Sequence, residues 1–358
     1  MSWPNLLVFV LLGLSIFENL VWGTNTKIAI TGLVLYVWFI YSVFVLIFNG
    51  KAQVHLGEIF ALYRVIAIFY SLRTLFLFDG ENIYIRSAVW LAVQFTILAY
   101  LQEFFFLTYG DAALGLDYSS IKVTEDIMAS LFGFSFVRAH FLVGDPNYFA
   151  LYILPGVGVM TYKIINKFTT GRLILFIFIF TGILLTFSRG ALLSFFVCFA
   201  IFFYRSNISI YKKVVTFLVF ILLGIGVVAN MNRGENTSSS SEERSALIQD
   251  AFKKTVMNPL GYGIGELVLE SKDNDIKMTA HNTFVEILLF SGILGLAIFL
   301  LIIGKSLLYA SGNGLILAVF ITVLIAGTFL SCTIYMVYWL YLLAPIAYNR
   351  KNITKAVT

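Results

Sequence analysis

The sequence predicts an all-α polytopic membrane protein: a single transmembrane domain over residues 1–358, with about 11–12 spanning helices and a large helical extracytoplasmic loop. Three observations carry this expectation. Hydrophobic residues make up 60% of the 358 positions, charged residues only 12%, and the mean hydropathy is +0.92. A soluble domain carries about 25% charged residues. The apolar runs are also long and unbroken. A spanning helix needs about 20 apolar residues, because each rises about 1.5 Å through a hydrocarbon core about 30 Å thick. Finally, the runs lack the period-two alternation that a membrane barrel requires.

The apolar runs place spans near 6–22, 27–48, 57–78, 85–109, 146–163, 172–188, 190–204, 213–230, 282–304, 314–330 and 333–348. The first, Leu6 to Trp22, has neither a basic start nor a small-residue cleavage pattern, so it reads as a retained span. Short loops sort by charge: Lys163, Lys167 and Arg172; Arg205, Lys212 and Lys213; Lys305; and a tail with Arg350, Lys351 and Lys355. These fall on one side of the span list, which the positive-inside rule assigns to the cytoplasm. The segments 110–145 and 231–280, and the bend at Ser188-Arg189-Gly190, then face outward. Eleven spans leave the N-terminus outside, and a split near Arg64 and Arg73 puts it inside. The net charge of +5 lies in short inter-helix loops and implies no nucleic-acid partner. Cys198 and Cys332 lie in apolar runs without metal-ligand spacing and read as small buried hydrophobes.

Chemistry gathers in the outward segments. In 231–280, Ser240-Ser241-Glu242-Glu243 reads as a capping box opening a helix to about Val256, stopped by Asn258-Pro259. The preceding Thr237–Ser241 run reads as a flexible lead-in. Leu247, Ile248, Ala251, Phe252 and Val256 fall on one face at helical spacing, with Arg244 at its start. An inward arginine needs an anion, whether a neighbouring glutamate or a ligand. Arg189 sits on an outward bend where positive-inside statistics disfavour it. It either snorkels to headgroups or binds an anion, and two outward guanidinium groups suit a diphosphate. His281-Asn282 opens a span. His281 is placed either as an interfacial side chain or as a base that takes a proton from a hydroxyl, and Glu286, one turn on, could orient it or act in its place. His140 and Arg138 close the first outer segment; His55 stands in a loop without a companion. In Gly144-Asp145-Pro146-Asn147, Asp145 suits an N-cap and Pro146 the first turn, leaving Asn147 and Arg138 as ligand contacts. Asp273-Asn274-Asp275 reads as a solvated acidic turn.

The ordered pieces Arg138…Gly144-Asp145-Pro146-Asn147-Tyr148-Phe149-Ala150, Ser188-Arg189-Gly190-Ala191, Arg244…Asn258-Pro259-Leu260-Gly261-Tyr262-Gly263-Ile264-Gly265 and His281-Asn282…Glu286…Gly292…Gly295 resemble the O-antigen ligase and surface-polysaccharide polymerase superfamily of bacterial envelopes. They cover residues 138–296. The resemblance implies a GT-C-like, metal-independent inverting glycosyltransferase of the inner membrane, without cofactor, with its active site facing the periplasm. Its donor and acceptor would be undecaprenyl-diphosphate-linked oligosaccharides, and its partners membrane lipid, a chain-length regulator and a flippase. By that resemblance Arg189 and Arg244 hold the donor diphosphate, and His281, with Glu286, activates the acceptor hydroxyl. Arg138, His140, Asn147 and Asn282 would contact substrate. The compact outer loop and short chain favour O-antigen or capsule polymerase over a ligase that transfers to lipid A core. The rival class is a lipid-linked sugar flippase or permease. Glu18, Glu58, Arg64, Arg73, Gln94, Gln102 and Glu103 in or near the N-terminal spans would line its cavity, although no internal repeat accompanies them.

Overall fold

The structure, a computed structural model, describes residues 56–77, 80–109, 128–131, 134–141, 143–207, 237–263, 281–330 and 335–348, part of 34–45, and positions 209, 211, 226, 231–232, 269–270, 277–278 and 332. Outside the described residues fall the span at 6–22, nearly all of 213–230, Glu18, His55, Arg233, Ile264-Gly265, Asp273–Asp275, the basic C-terminal tail, and the side chains of Glu58 and of 237–244.

The elements in order are α1 (Leu56–Leu77), α2 (Gly80–Tyr109), β1 (Met128–Leu131), β2 (Phe134–Val137), α3 (Pro146–Asn166), α4 (Thr170–Thr186), α5 (Arg189–Arg205), β3 (Met231–Asn232), α6 (Thr237–Met257), β4 (Leu269–Glu270), β5 (Lys277–Met278), α7 (Thr283–Ala310), α8 (Gly314–Ala326) and α9 (Met336–Tyr348). The chain is an all-α polytopic membrane protein. Among the described residues α2, α3 and α7 are long and apolar enough to cross a membrane, and α4, α8 and α9 are shorter apolar helices. The strands were not expected. β1 and β2 form a hairpin, Met128 opposite Val137, and β3 adds to β1 with Ser130 opposite Asn232. Residues 130–131 and 231–232, far apart in the chain, are thus joined by backbone pairing.

The chain divides into two compact units. One comprises Ile85–Ser241 and Ile321–Ala326. In it α3 packs against α4 and α5. Helix α2 offers these neighbours a buried row of small residues, Ala88, Ala92, Thr96 and Ala99. A side chain at Gly156 of α3 would meet Ala92 Cβ at 2.4 Å, and one at Gly182 of α4 would meet Thr96 Oγ1 at 2.4 Å. Close helix approach over small residues is how apolar helices gain contact where lipid removes the hydrophobic drive. The far face of α2 leaves Trp90, Ile97 and Phe104 exposed, as a lipid-facing surface requires.

The other unit comprises Met1–Tyr84, Glu242–Phe320 and Gly327–Thr358. Here α9 packs on α1 and α7. Trp38 Nε1 donates to Ser291 Oγ (3.2 Å), and its ring lies against Phe290, Phe299 and Trp339. Glu81 accepts from Asn313 Nδ2 (2.7 Å) and from the Tyr348 hydroxyl (2.6 Å), tying one end of this unit together.

Helix α7 is not the single straight span that hydropathy suggests. It breaks at Gly292, whose backbone is left-handed and extended (φ 63°, ψ −166°). A break inside an apolar span strands peptide groups that lipid cannot satisfy. The Pro259–Gly263 loop satisfies them: Tyr262 N donates to Leu289 O (2.8 Å), Gly263 N to Phe290 O (2.9 Å), and Ile293 N to Pro259 O (3.0 Å). The fit is backbone on backbone. A Cβ at Gly261 would lie 2.5 Å from Gly292 N, and one at Gly292 would lie 2.2 Å from Pro259 O.

Helix α6 differs from expectation at its start and on its face. It begins at Thr237, so the serines expected as a flexible lead-in are helical and Ser240 is not the N-cap. Any residue of a Ser/Thr run serves in a first turn, and the earlier start adds backbone hydrogen bonds. The buried face is Leu247, Ala251 and Thr255, with Ile248 half-buried, against Val285 and Leu289 of α7. Phe252 and Val256, expected on that face, are 53% and 83% exposed. Thr255 takes the buried place because its hydroxyl is satisfied by Ala251 O (2.9 Å). The helix stops where expected: Asn258 N bonds Lys254 O (2.9 Å), and its side chain caps the loop through Gly261 O (2.7 Å).

The interlock gives a matched test. Positive φ alone costs a non-glycine residue about 1–2 kcal/mol, before any clash is relieved. Gly261→Ala and Gly292→Ala are therefore expected to lower the thermal midpoint of the detergent-solubilised protein clearly. Gly304→Ala, in the same helix, meets nothing within 4 Å and is expected to leave the midpoint unchanged or raise it slightly.

Candidate functional site

In the first unit the candidate residues converge on the bend between α4 and α5. Phe187 ends α4 in a left-handed conformation (φ 50°), and Ser188 caps α5 through its hydroxyl, which accepts from Ala191 N (3.3 Å). Arg189 is the first residue of α5 and is exposed. The bend is held by Arg138, Ala139 and Asn147. Arg138 Nε donates to Thr186 O (3.3 Å), Ala139 N donates to Leu185 O (2.8 Å), and the Ser188 hydroxyl donates to Asn147 Oδ1 (2.9 Å). Asp145 caps α3 as the sequence implies, accepting from Asn147 N (2.6 Å) and Tyr148 N (3.3 Å). Arg138, His140, Asn147 and Arg189 are therefore one stitched corner. Asn147 spends its carbonyl on the residue preceding Arg189, so its contact orients the start of α5.

This corner favours an anion. A helix N-terminus carries a partial positive charge, and a cation placed there gives up about 0.3–1 kcal/mol that an anion would gain. Arg189 adds its guanidinium to the end where the dipole opposes it. Backbone amides of the first turn point the same way, which is the arrangement that accepts phosphate.

In the second unit the candidate residues open α7. His281 is one of only two non-glycine residues with positive φ among the described residues (φ 47°). Asn282 follows as N-cap, its Oδ1 accepting from Phe284 N (2.9 Å) and Val285 N (3.2 Å). Its Nδ2 donates to Thr328 O (2.9 Å), so one side chain caps the helix and ties it to the loop after α8. Thr283 continues the staple: its amide donates to Gly327 O (2.9 Å), its hydroxyl to Leu330 O (2.6 Å), and Cys332 N donates to that hydroxyl (2.8 Å). The histidine is held in a strained conformation by bonds on the residues that follow it, which is how a site keeps a side chain aimed. Glu286 is buried one turn in. Arg244 lies on α6 one turn before Leu247, which packs on Val285 beside Glu286.

Residues 174–300 match the family model of the O-antigen ligase. The match supports the O-antigen ligase and polymerase superfamily. Members of this family are glycosyltransferase-like enzymes acting on polysaccharide. Arg189, Arg244, His281, Asn282 and Glu286 lie inside the matched segment, while Arg138, His140, Asn147 and the 327–332 staple lie outside it. No curated protein matches the chain.

Sequence reasoning did not single out the 327–332 loop as part of the site, and it named Ser188 only as a member of the Ser188-Arg189-Gly190-Ala191 piece, with no role of its own. The loop is short and apolar, and it acts through its carbonyls, which no side-chain pattern reports. The two jobs of Asn282 separate by substitution. An N-cap is worth about 0.5–2 kcal/mol. Asn282→Asp keeps the cap and loses the donor to Thr328, whereas Asn282→Ala loses both. The expected order of thermal midpoints is wild type, then Asp, then Ala.

Proposed function

We propose that this protein polymerises a surface polysaccharide, O-antigen or capsule, by transferring the growing glycan from undecaprenyl diphosphate onto the next lipid-linked repeat unit at the outer face of the bacterial inner membrane. The observation that carries the reading is Arg189 on the first residue of α5, at a bend held by Arg138 and Asn147. That arrangement is built for an anion, and the family acts on polysaccharide.

In the reaction the acceptor hydroxyl oxygen attacks the anomeric carbon, the bond from that carbon to the diphosphate oxygen breaks, and configuration inverts. The hydroxyl proton passes to a base, and undecaprenyl diphosphate leaves. Arg189 holds the diphosphate and stabilises the charge that grows on its bridging oxygen; for Arg244 the same role rests on the family resemblance alone. Removing one such fixed donor typically costs about 10²–10³ in rate. His281 is the base, with Glu286 as its orienting partner or its substitute. Arg138, His140, Asn147 and Asn282 shape the surrounding contacts. The positioned guanidinium groups supply the electrostatic term for a leaving group that is already charged, so the step proceeds without metal.

The description of the matched family favours a second reading, ligation of the glycan to lipid A core. Purified protein given synthetic undecaprenyl-diphosphate oligosaccharide, with EDTA present, separates the two. A ladder of lengthening lipid-linked chains is expected, and Arg189→Ala and Arg244→Ala are each expected to abolish it at normal membrane insertion. Product formed only after lipid A core is added would establish the ligase instead. No product in either assay from well-folded protein would overturn both and favour transport.

A further inference from the structure

By sequence α6 belongs to an outer segment, yet its last two turns turn apolar side chains outward. Phe252, Val256 and Met257 are exposed, Met257 by 80%, and so is Leu260 just past the helix. Ser245, Gln249, Phe252 and Val256 follow one another at i, i+4, i+7 and i+11, so they share one face. All four are exposed, with Lys253 beside them where the face changes character. That face is polar at the start of the helix and apolar at its end. An amphipathic helix lying in the plane of a membrane is apolar along its whole buried side. A gradient along the axis suits a helix that enters lipid by one end.

Three contacts set the depth of the apolar end. The Pro259–Gly263 loop meets α7 around Gly292, nine residues past Thr283. At 1.5 Å per residue that is about 14 Å along the span, close to the middle of a hydrocarbon layer about 30 Å thick. The Tyr41 hydroxyl, on a helical residue near the middle of the apolar run 27–48, donates to Leu260 O (3.0 Å). Ile293, whose amide bonds Pro259 O, is exposed, as is Leu294. The loop therefore borders the surface that a spanning helix shows to acyl chains.

The loop carbonyls agree with that depth. Those of Asn258, Pro259, Leu260 and Gly261 accept in turn from Gly261 N, Ile293 N, the Tyr41 hydroxyl and Asn258 Nδ2. Water would serve the carbonyls of an aqueous loop, whereas irregular backbone at membrane depth is tolerated only where protein bonds it. The charges fit as well. Lys254 is paired with Asp250 (3.0 Å), and the long stem of Lys253 lets its ammonium reach back toward the headgroups.

We propose that α6 is a re-entrant element: its last two turns dip into the leaflet at which α7 begins, and Phe252, Val256, Met257 and Leu260 bear on phospholipid acyl chains. The chain turns back in the Pro259–Gly263 loop and regains the membrane boundary by Thr283. The inference stands apart from the proposed function, since it concerns where α6 sits and not what it acts on.

Nitroxide labels on single introduced cysteines test it in the full protein in phospholipid nanodiscs. Cys198 and Cys332 are buried, and the unsubstituted protein is the blank for labelling. Collision with oxygen, which partitions into lipid, is compared with collision with a water-soluble nickel chelate. The oxygen-to-nickel ratio is expected to be low for Ser245→Cys and Gln249→Cys. It is expected to rise at Val256→Cys and Met257→Cys to the value for Ile40→Cys, an exposed position of the run 27–48. A ratio at Val256 and Met257 equal to that at Ser245 would place them in water and overturn the proposal. Low collision with both reagents there would show a second copy or another protein on this face, and would overturn it too.

A second measurement needs no variant to fold. Phospholipid carrying a photoactivatable diazirine on its acyl chain is expected to leave adducts on residues 252–260 of the unsubstituted protein and none on 245–249. Adducts on Ile293 and Leu294 without any on 252–260 would refute the dip.

Discussion

The break in α7 at Gly292 sets the terms for the second unit. An apolar helix interrupted at membrane depth exposes peptide groups whose desolvation costs several kcal/mol each when nothing bonds them. Here the partners come from the Pro259–Gly263 loop, whose amides and carbonyl replace the missing helical ones. Because the contact is between two backbones, it requires glycine on both sides and admits no adjustable side chain. It therefore fixes the end of α6 at one point on α7. From there the Leu247–Ala251 face is laid on Val285 and Leu289, and the helix bearing Arg244 is brought against the helix opened by His281. Tyr262 strengthens the junction by donating from its hydroxyl to Lys254 O (3.1 Å) at the end of α6.

The first unit answers a similar problem with side chains. Helix ends and bends leave unpaired amides and carbonyls, and at the α4–α5 bend these are taken up by Arg138 and by Ser188, whose hydroxyl is in turn held by Asn147, while Gln102 takes up the amides of His140 and Phe141. In both units, a polar group that satisfies the backbone also aims a candidate site residue. Ser188 caps α5 and precedes Arg189; Asn282 caps α7 and follows His281. Local stability and functional geometry thus rest on the same bonds, so substitutions here move both unless they are chosen to keep one.

Much of this was legible in the sequence because it is written in hydropathy and capping chemistry. The spans at 57–78, 146–163, 172–188 and 190–204 fall within a few residues of α1, α3, α4 and α5, and Asp145 and Asn258 act at the helix ends that their residue types imply. The break at Gly292 was not legible, since a glycine in an apolar run gives the same hydropathy whether its φ is negative or positive. The face of α6 was misread in part because Phe252 and Val256 follow Ile248 at helical spacing, four and eight residues on. The partner decides which residues are covered, and α7 covers the 247–251–255 row. The strands were too short to show alternation. Gln102 did carry a signal, a glutamine in an apolar helix, but its companions lie 36 to 39 residues away and only the fold unites them.

The loop inserted into the α7 break is also the most exposed point of the account. Amides of an open outer loop exchange with solvent within seconds to minutes, while amides bonded inside a packed helix are protected. Hydrogen exchange of the full protein, read on peptides covering 258–263, measures this directly. Tyr262 and Gly263 amides protected as strongly as those of α7 would bear out the interlock between Pro259–Gly263 and Leu289–Ile293. Exchange there as fast as in an unstructured loop would contradict it, and with it the mechanism by which α6 and α7 are held together.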